Sequence, residues 1–396
     1  INDMQIRASY GVTGNFQIGD YDHLATMSID NYILGNGLAY GYKPDNIKRD
    51  DLSWEKNQMI NAGIDLQMFD GYIGFSVDYY NTNTSNMLLY VPVPLLTGYS
   101  TSLQNLGKVN NRGWELALTS QHTFANGFGY SFNANYAKNT NEVKELGPGN
   151  APIISSGSVG HAYYITEVGK PIGNYYLLVQ DGIFATEEDL KKYPHFDNTE
   201  VGDFRFVDVD GDGKLDLDKD RTICGNYMPK FTYGFGGKLW YAGFDMDFNF
   251  QGVYGNKILN LNKRYLDNME GNTNGTKIAL DRWKSPENPG SGSVNKANRK
   301  QTGYNSRTST WHLESGSYLR LQNLSLGYTL PRALTQKFKV EKMRVYVSGQ
   351  NLFTITNYSG YNPEVNARPS KNLTPGEDYG TYPLARTYMF GLNLTL

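Results

Sequence analysis

Sustained alternation of apolar and polar residues is the feature that most limits what this chain can fold into. Phe244, Met246, Phe248 and Phe250 alternate with Asp245, Asp247, Asn249 and Gln251. Phe128, Tyr130, Phe132, Ala134 and Tyr136 alternate with Gly129, Ser131, Asn133, Asn135 and Ala137. Side chains on a strand point to opposite faces with a period of two, so each stretch is a strand with one apolar and one polar face. The pattern predicts ten strands, over 4–15, 57–69, 72–88, 110–123, 127–142, 230–240, 243–255, 316–330, 342–355 and 384–396. Most reach or exceed the ~9–11 residues that a tilted strand needs to cross a bilayer, whereas soluble strands are usually ~5–6 long. In the eighth, the apolar phase shifts at Gln322-Asn323, from Leu319 and Leu321 to Leu324 and Leu326, which a β-bulge explains.

The joints between these strands alternate. Asp70-Gly71, Ala125-Asn126-Gly127, Ala242-Gly243 and 331–341 are short, and 16–56, 89–109, 143–229, 256–315 and 356–383 are long. Short periplasmic turns facing long extracellular loops are the asymmetry of an outer-membrane barrel. The expected fold is therefore all-β, a transmembrane antiparallel β-barrel wall. A soluble β-sandwich also alternates, but it rarely places every long connection at one end. Tyr10, Tyr79, Tyr80, Tyr136, Tyr233, Tyr241, Tyr254, Tyr328 and Tyr346 fall near strand ends, where a ring with a wet hydroxyl suits a membrane boundary.

Bulk composition is compatible with this reading. Hydrophobic residues make up only 39%, but a barrel strand shows lipid every second side chain and so hides its hydrophobicity from an average. A net charge of -2 offers no general attraction to nucleic acid, and none is expected as a partner. Cys224 is the single cysteine and can form no internal disulfide. No H-E-x-x-H, G-x-S-x-G or Walker loop occurs, and the five histidines are scattered, most simply solvated; no enzyme is expected.

The sharpest local motif lies in the 143–229 connection. Asp208-Val209-Asp210-Gly211-Asp212-Gly213 matches the opening of a Ca²⁺ loop, with oxygen ligands at alternate positions and a glycine where the chain must turn sharply. Asp208, Asp210 and Asp212 would give carboxylates, Lys214 its carbonyl, and Asp216 a direct or water-bridged contact. The twelfth position is Lys219, which cannot ligate, and Asp220 falls one residue late. The competing reading is an Asp/Gly-rich turn over 208–220 with no ion. Trp54, Trp283, Trp311, Tyr40, Tyr42, Tyr175, Tyr176 and Tyr304 also lie in long connections, where loop-on-loop packing comes ahead of ligand contact.

Several segments, taken in order, resemble one family. They are Ile6-Arg7-Ala8-Ser9-Tyr10-Gly11-Val12-Thr13-Gly14-Asn15, Leu52-Ser53-Trp54-Glu55-Lys56, Val77-Asp78-Tyr79-Tyr80-Asn81 with Thr84, and Asn110-Asn111-Arg112-Gly113-Trp114-Glu115. The aspartate loop follows, then Tyr318-Leu319-Arg320-Leu321-Gln322-Asn323-Leu324-Ser325-Leu326-Gly327-Tyr328, Val347-Ser348-Gly349-Gln350-Asn351-Leu352-Phe353, Gly360-Tyr361-Asn362-Pro363-Glu364 and Tyr382-Pro383. Together they resemble the SusC/RagA group of TonB-dependent outer-membrane transporters. The resemblance implies that 1–396 is the C-terminal part of a plugged barrel of ~22 strands. A signal peptide, TonB box, plug domain and first strands are not seen in the chain, which is expected to be a fragment of a longer protein. Its last residue is Leu396, where the group usually carries an aromatic. The implied function is uptake of a glycan or oligopeptide at the Gram-negative outer membrane. TonB would drive it through the N-terminal remainder of the same barrel, and a SusD-like surface lipoprotein would act as lid. A siderophore or cobalamin receptor is one alternative, and a soluble glycan-binding β-protein a more distant one.

Overall fold

At the sharpest reversal, Ala242 and Gly243 both take positive φ, +50° and +88°. A two-residue loop of this kind carries the twist that suits two flanking antiparallel strands. It joins Phe231–Tyr241 to Phe244–Tyr254, paired from Phe231↔Tyr254 to Tyr241↔Phe244. The computed structural model describes residues 1–15, 21, 23–99, 101–159, 161–271, 273–299 and 304–396. The predicted joint 16–56 therefore falls partly outside the described residues.

Ten strands form one antiparallel meander in chain order. They are β1 (Asp3–Asn15), β2 (Glu55–Met68), β3 (Ile73–Ser85), β4 (Lys108–Thr123), β5 (Gly129–Glu145), β6 (Phe231–Tyr241), β7 (Phe244–Tyr254), β8 (Tyr318–Thr329), β9 (Lys342–Thr356) and β10 (Thr387–Thr395). Every predicted strand is present, with ends shifted by a few residues. β2 stops at Met68 because Phe69 and Asp70 turn with φ of +55° and +54°. Pairing of β10 with β9 begins at Thr387↔Gln350, beside Asn351 in the left-handed region, so 384–386 stay outside the strand. The sheet is open: among the described residues β1 and β10 have no neighbour on their outer sides.

Register sorts the side chains into the two expected faces. Phe235, Phe250 and Leu321 lie abreast on one face, as do Leu239, Met246, Leu326, Val347 and Phe390. The opposite face carries Asn133, Gly236, Asn249 and Asn323. The bulge falls at Gln322: Asn249 pairs Asn323 while Phe250 pairs Leu321. One extra residue returns Leu324 and Leu326 to the apolar face, which a regular strand would have turned inward.

Aromatic rings edge the apolar face at two levels. Near the short turns Phe244 packs on Tyr328 at 4.5 Å, and at the other end Phe231 meets Tyr136 at 5.3 Å and Tyr254 at 5.0 Å. Ten residues of β6 separate Phe231 from Tyr241, roughly 33 Å along the strand and about 25 Å across a membrane at a ~40° tilt. That is the height of an outer-membrane apolar band. Tyr80 and Tyr346 do not belong to these belts. Each follows the polar parity, and Tyr80 donates its hydroxyl to Asn139 at 3.0 Å.

Candidate functional site

The polar face of the sheet is held by charge networks across neighbouring strands. Arg7 on β1 reaches Asp65 on β2 at 2.6 Å and Asp78 on β3 at 3.0 Å, and Ser76 donates to Asp65 at 2.6 Å. Arg344 on β9 forks onto Asp245 on β7 at 2.8 and 2.5 Å. Higher on the wall, Arg320 contacts Glu364 and donates to Asn362 at 2.8 Å, while Tyr318 donates to Glu364 at 2.5 Å. Two motifs far apart in sequence, Tyr318–Tyr328 and Gly360–Glu364, thus meet on the polar face. Each was legible alone; their contact was not.

The connections 143–229, 256–315 and 356–383 pack, over their described residues, into a layer with a core of its own. A small sheet forms from Ile153–Ser156, Tyr163–Thr166, Asn174–Leu178 and Arg221–Ile223. Lys257–Asn260 pairs in parallel with Glu377–Asp378. Tyr164, Tyr175, Leu177, Leu259 and Leu261 are fully buried together, and Leu178, Ile183, Phe196, Phe204 and Phe206 make a second cluster. Half of the loop aromatics serve this packing. Tyr175 donates to the Gly376 carbonyl at 2.9 Å, Tyr304 stacks on Phe196 at 4.2 Å, Trp311 lies 5.2 Å from Phe204, and Trp283 donates to the Ala185 carbonyl at 3.3 Å. Tyr40, Tyr42 and Trp54 stay exposed. Glu377 is a buried latch: its carboxylate accepts from the Ser158 amide at 3.0 Å, the Ser158 hydroxyl and the Tyr164 hydroxyl at 3.0 Å.

In the aspartate loop, Asp208, Asp210 and Asp212 bring one oxygen each within 4.8 Å of one another. Their turn is shaped by the same carboxylates: Asp208 accepts from the Gly211 and Gly213 amides, and Asp212 from the Lys214 amide. Gly211 and Gly213 take φ of +74° and +82°, which only glycine adopts freely. Asp216 and Asp220 lie outside the three-carboxylate group. Asp216 accepts from the Asp218 and Lys219 amides, and buried Asp220 closes the loop by accepting from Val209 at 2.8 Å and Asp216 at 2.6 Å. Lys219 approaches Asp212 at 3.9 Å.

The histidines are not uniformly solvated. His312 is fully buried, and its Nδ1 accepts from the Ser309 amide at 3.2 Å, a bond open only to the unprotonated nitrogen. Burial, then the charges of Lys263 and Arg264, press its pKa down to about 3. The unfolded imidazole titrates near ~6.5, so between these values the open form binds more protons and stability rises with pH. The protection factors of the amides across 304–315, which remove the intrinsic pH dependence of exchange, are therefore expected to fall as pH falls from 7 to 5. His312→Gln should flatten that dependence, and an equal response in both proteins would remove His312 as its source.

An open antiparallel wall with one apolar face, aromatic belts at both edges, a polar reverse face and all long connections at one end is the wall of an outer-membrane β-barrel. No described helix is long and apolar enough to cross a membrane; crossing falls to the strands. The chain belongs to the TonB-dependent receptor family: residues 1–352 match the family model for the TonB dependent receptor-like β-barrel. TonB-dependent receptor P3 of Formosa agariphila is 34% identical over 98% of the chain and 39% of its own length. TonB-dependent receptor SusC of Bacteroides thetaiotaomicron is 27% identical over the whole chain and 38% of its own length. The solved RagAB peptide transporter superposes with a TM-score of 0.78 at 27% identity, over 99% of this chain and 41% of that one. The chain thus spans about two fifths of the relatives it matches. The expectation of an outer-membrane barrel of SusC/RagA type agrees with these matches, and the family is one of transporters and receptors, not enzymes.

Proposed function

We propose that this chain forms the C-terminal wall and extracellular loop layer of a TonB-driven importer of oligomeric nutrient, an oligopeptide or a glycan. The observation that carries it is the combination of a polar inner wall with a packed loop layer pinned to it through Arg320 and Glu364. A rigid mouth of this kind suits binding of a ligand before transport. Similarity to a peptide transporter favours an oligopeptide, and the SusC relative keeps a glycan in view. A SusD-like lipoprotein would cover the mouth, and TonB would act through the N-terminal remainder of the barrel. In the test, uptake of labelled oligopeptides and oligosaccharides is followed in cells with and without the gene, and with and without TonB. Loss of uptake in both deletions is expected; uptake that persists without TonB would reject the reading.

The aspartate loop belongs to the same proposal. We infer that Asp208, Asp210 and Asp212 hold a structural Ca²⁺, with the Lys214 carbonyl and Asp216 contributing and Asp220 holding the loop closed. Convergence of three carboxylates supports it, since a bound cation would relieve their mutual repulsion. Extracellular Ca²⁺ sites commonly bind at ~10⁻⁴–10⁻³ M. Chelation is expected to speed proteolysis within 208–220 while the barrel stays folded, and Asp210→Asn with Asp212→Asn should reproduce that effect in saturating Ca²⁺. Cleavage at one rate in Ca²⁺ and in chelator would assign the loop as an ion-free turn.

A further inference from the structure

Between the connections 256–315 and 356–383 lies a cavity of about 410 Å³. It stands at the mouth, beside the inner wall: Tyr361, which lines it, directly precedes Asn362, and Asn362 accepts from Arg320 of the polar face at 2.8 Å. A single carboxylate lines the cavity, that of Asp267, which follows the short helical turn Lys263–Leu266. Asp267 is only 8% exposed. Its Oδ1 accepts from the Thr276 hydroxyl at 2.5 Å, while Oδ2 takes no hydrogen bond from any described residue and is not sealed from solvent. The one cation in the lining, Lys263, is engaged elsewhere. Its Nζ donates to the Trp311 carbonyl at 2.7 Å, lies 4.2 Å over the Trp311 ring and stands 3.5 Å from Glu314. A carboxylate this enclosed is costly unless a cation answers it.

The rest of the lining suits such a cation. Tyr361 and Tyr382 come from the two ends of the 356–383 connection and are 82% and 89% exposed, so their ring faces are open. Leu266 and Pro383 add apolar surface. Aromatic faces attract a cation through their quadrupole, and the methylene stem of a long basic side chain packs on apolar groups. We infer that this cavity is the subsite that takes a lysine or arginine side chain of an imported oligopeptide. The inference rests on the reading of the chain as part of a peptide importer. Asp267 meets the charged head, and Tyr361 and Tyr382 hold the stem at the rim. A neutral sugar would use the tyrosine faces and leave the charge of Asp267 unanswered.

The test measures binding to the full-length protein in detergent by calorimetry, with two probes. One is an alanine-rich hexapeptide with a single central lysine and blocked ends; the other is the same peptide with that lysine Nε-acetylated. The native protein should bind the lysine peptide about tenfold more tightly, the worth of one hydrogen-bonded charge pair. Asp267→Asn keeps an oxygen for the Thr276 hydroxyl and removes only the charge. It should erase that preference and leave the acetylated peptide unaffected. Tyr361→Leu with Tyr382→Leu should weaken the lysine peptide by about fivefold. Asp197→Asn, the same charge change at an exposed loop position, should alter neither. Equal binding of the two peptides by the native protein would overturn the subsite and leave peptide import standing, as would a preference that survives Asp267→Asn or is lost equally in Asp197→Asn. A native protein that binds neutral oligosaccharides and neither peptide would overturn both readings.

Discussion

Phe248→Arg is expected to destabilise the folded barrel by about 2–4 kcal/mol, the cost of an arginine on the lipid face near the bilayer midplane. Phe248 lies between the two aromatic belts, abreast of Leu324 and Gly237 on the apolar face. Asn249→Arg, one residue along, should be far milder. Asn249 pairs with Gly236 and Asn323 on the polar face, where a guanidinium keeps its water. Denaturant titrations of both variants in lipid vesicles give the comparison. Equal penalties would sink the assignment of faces on which the whole architecture depends.

The second large effect is expected at the junction of wall and loop layer. Arg320 is almost wholly buried, and its charge is answered by Glu364. Glu364→Leu would strand a buried cation, at a cost of about 3–5 kcal/mol. The remaining bonds to Thr354 at 2.9 Å and Asn362 at 2.8 Å are neutral acceptors and only partly compensate. Replacing both partners, Arg320→Met with Glu364→Leu, should recover most of the loss, because no charge then stays unpaired. Denaturant titration reads the loss, and protease nicking within 357–386 reads whether the loop lifts from the wall. A double variant no better than the single would show that the pair does not carry the junction.

Much of this fold could be read from periodicity. Alternation is a local property: each residue's face is set by its neighbours two positions away, so Phe244 to Gln251 declared one strand and two faces without reference to anything distant. The slip at Gln322 was visible for the same reason, as a break in a period. The facing of Tyr80 was also available: Tyr79 and Tyr80 are adjacent, so only one of them could join the apolar belt. The aspartate loop was legible as a turn because its carboxylates cap their own backbone within a few residues.

The amino-acid sequence by itself determined the ten strands, their two faces and the alternation of short and long joints, since these follow from spacings of one or two residues and from turn chemistry. Tertiary structure alone decided what the long joints do. Glu377 finds Ser158 and Tyr164 more than two hundred positions away, Arg320 finds Glu364 across a connection, and His312 enters a core that no periodicity announces. Such contacts form because aromatic and carboxylate groups left over a wall must be packed or hydrogen-bonded once water is excluded. Which of many chemically equivalent partners each one meets is settled by where the strands bring the loop ends.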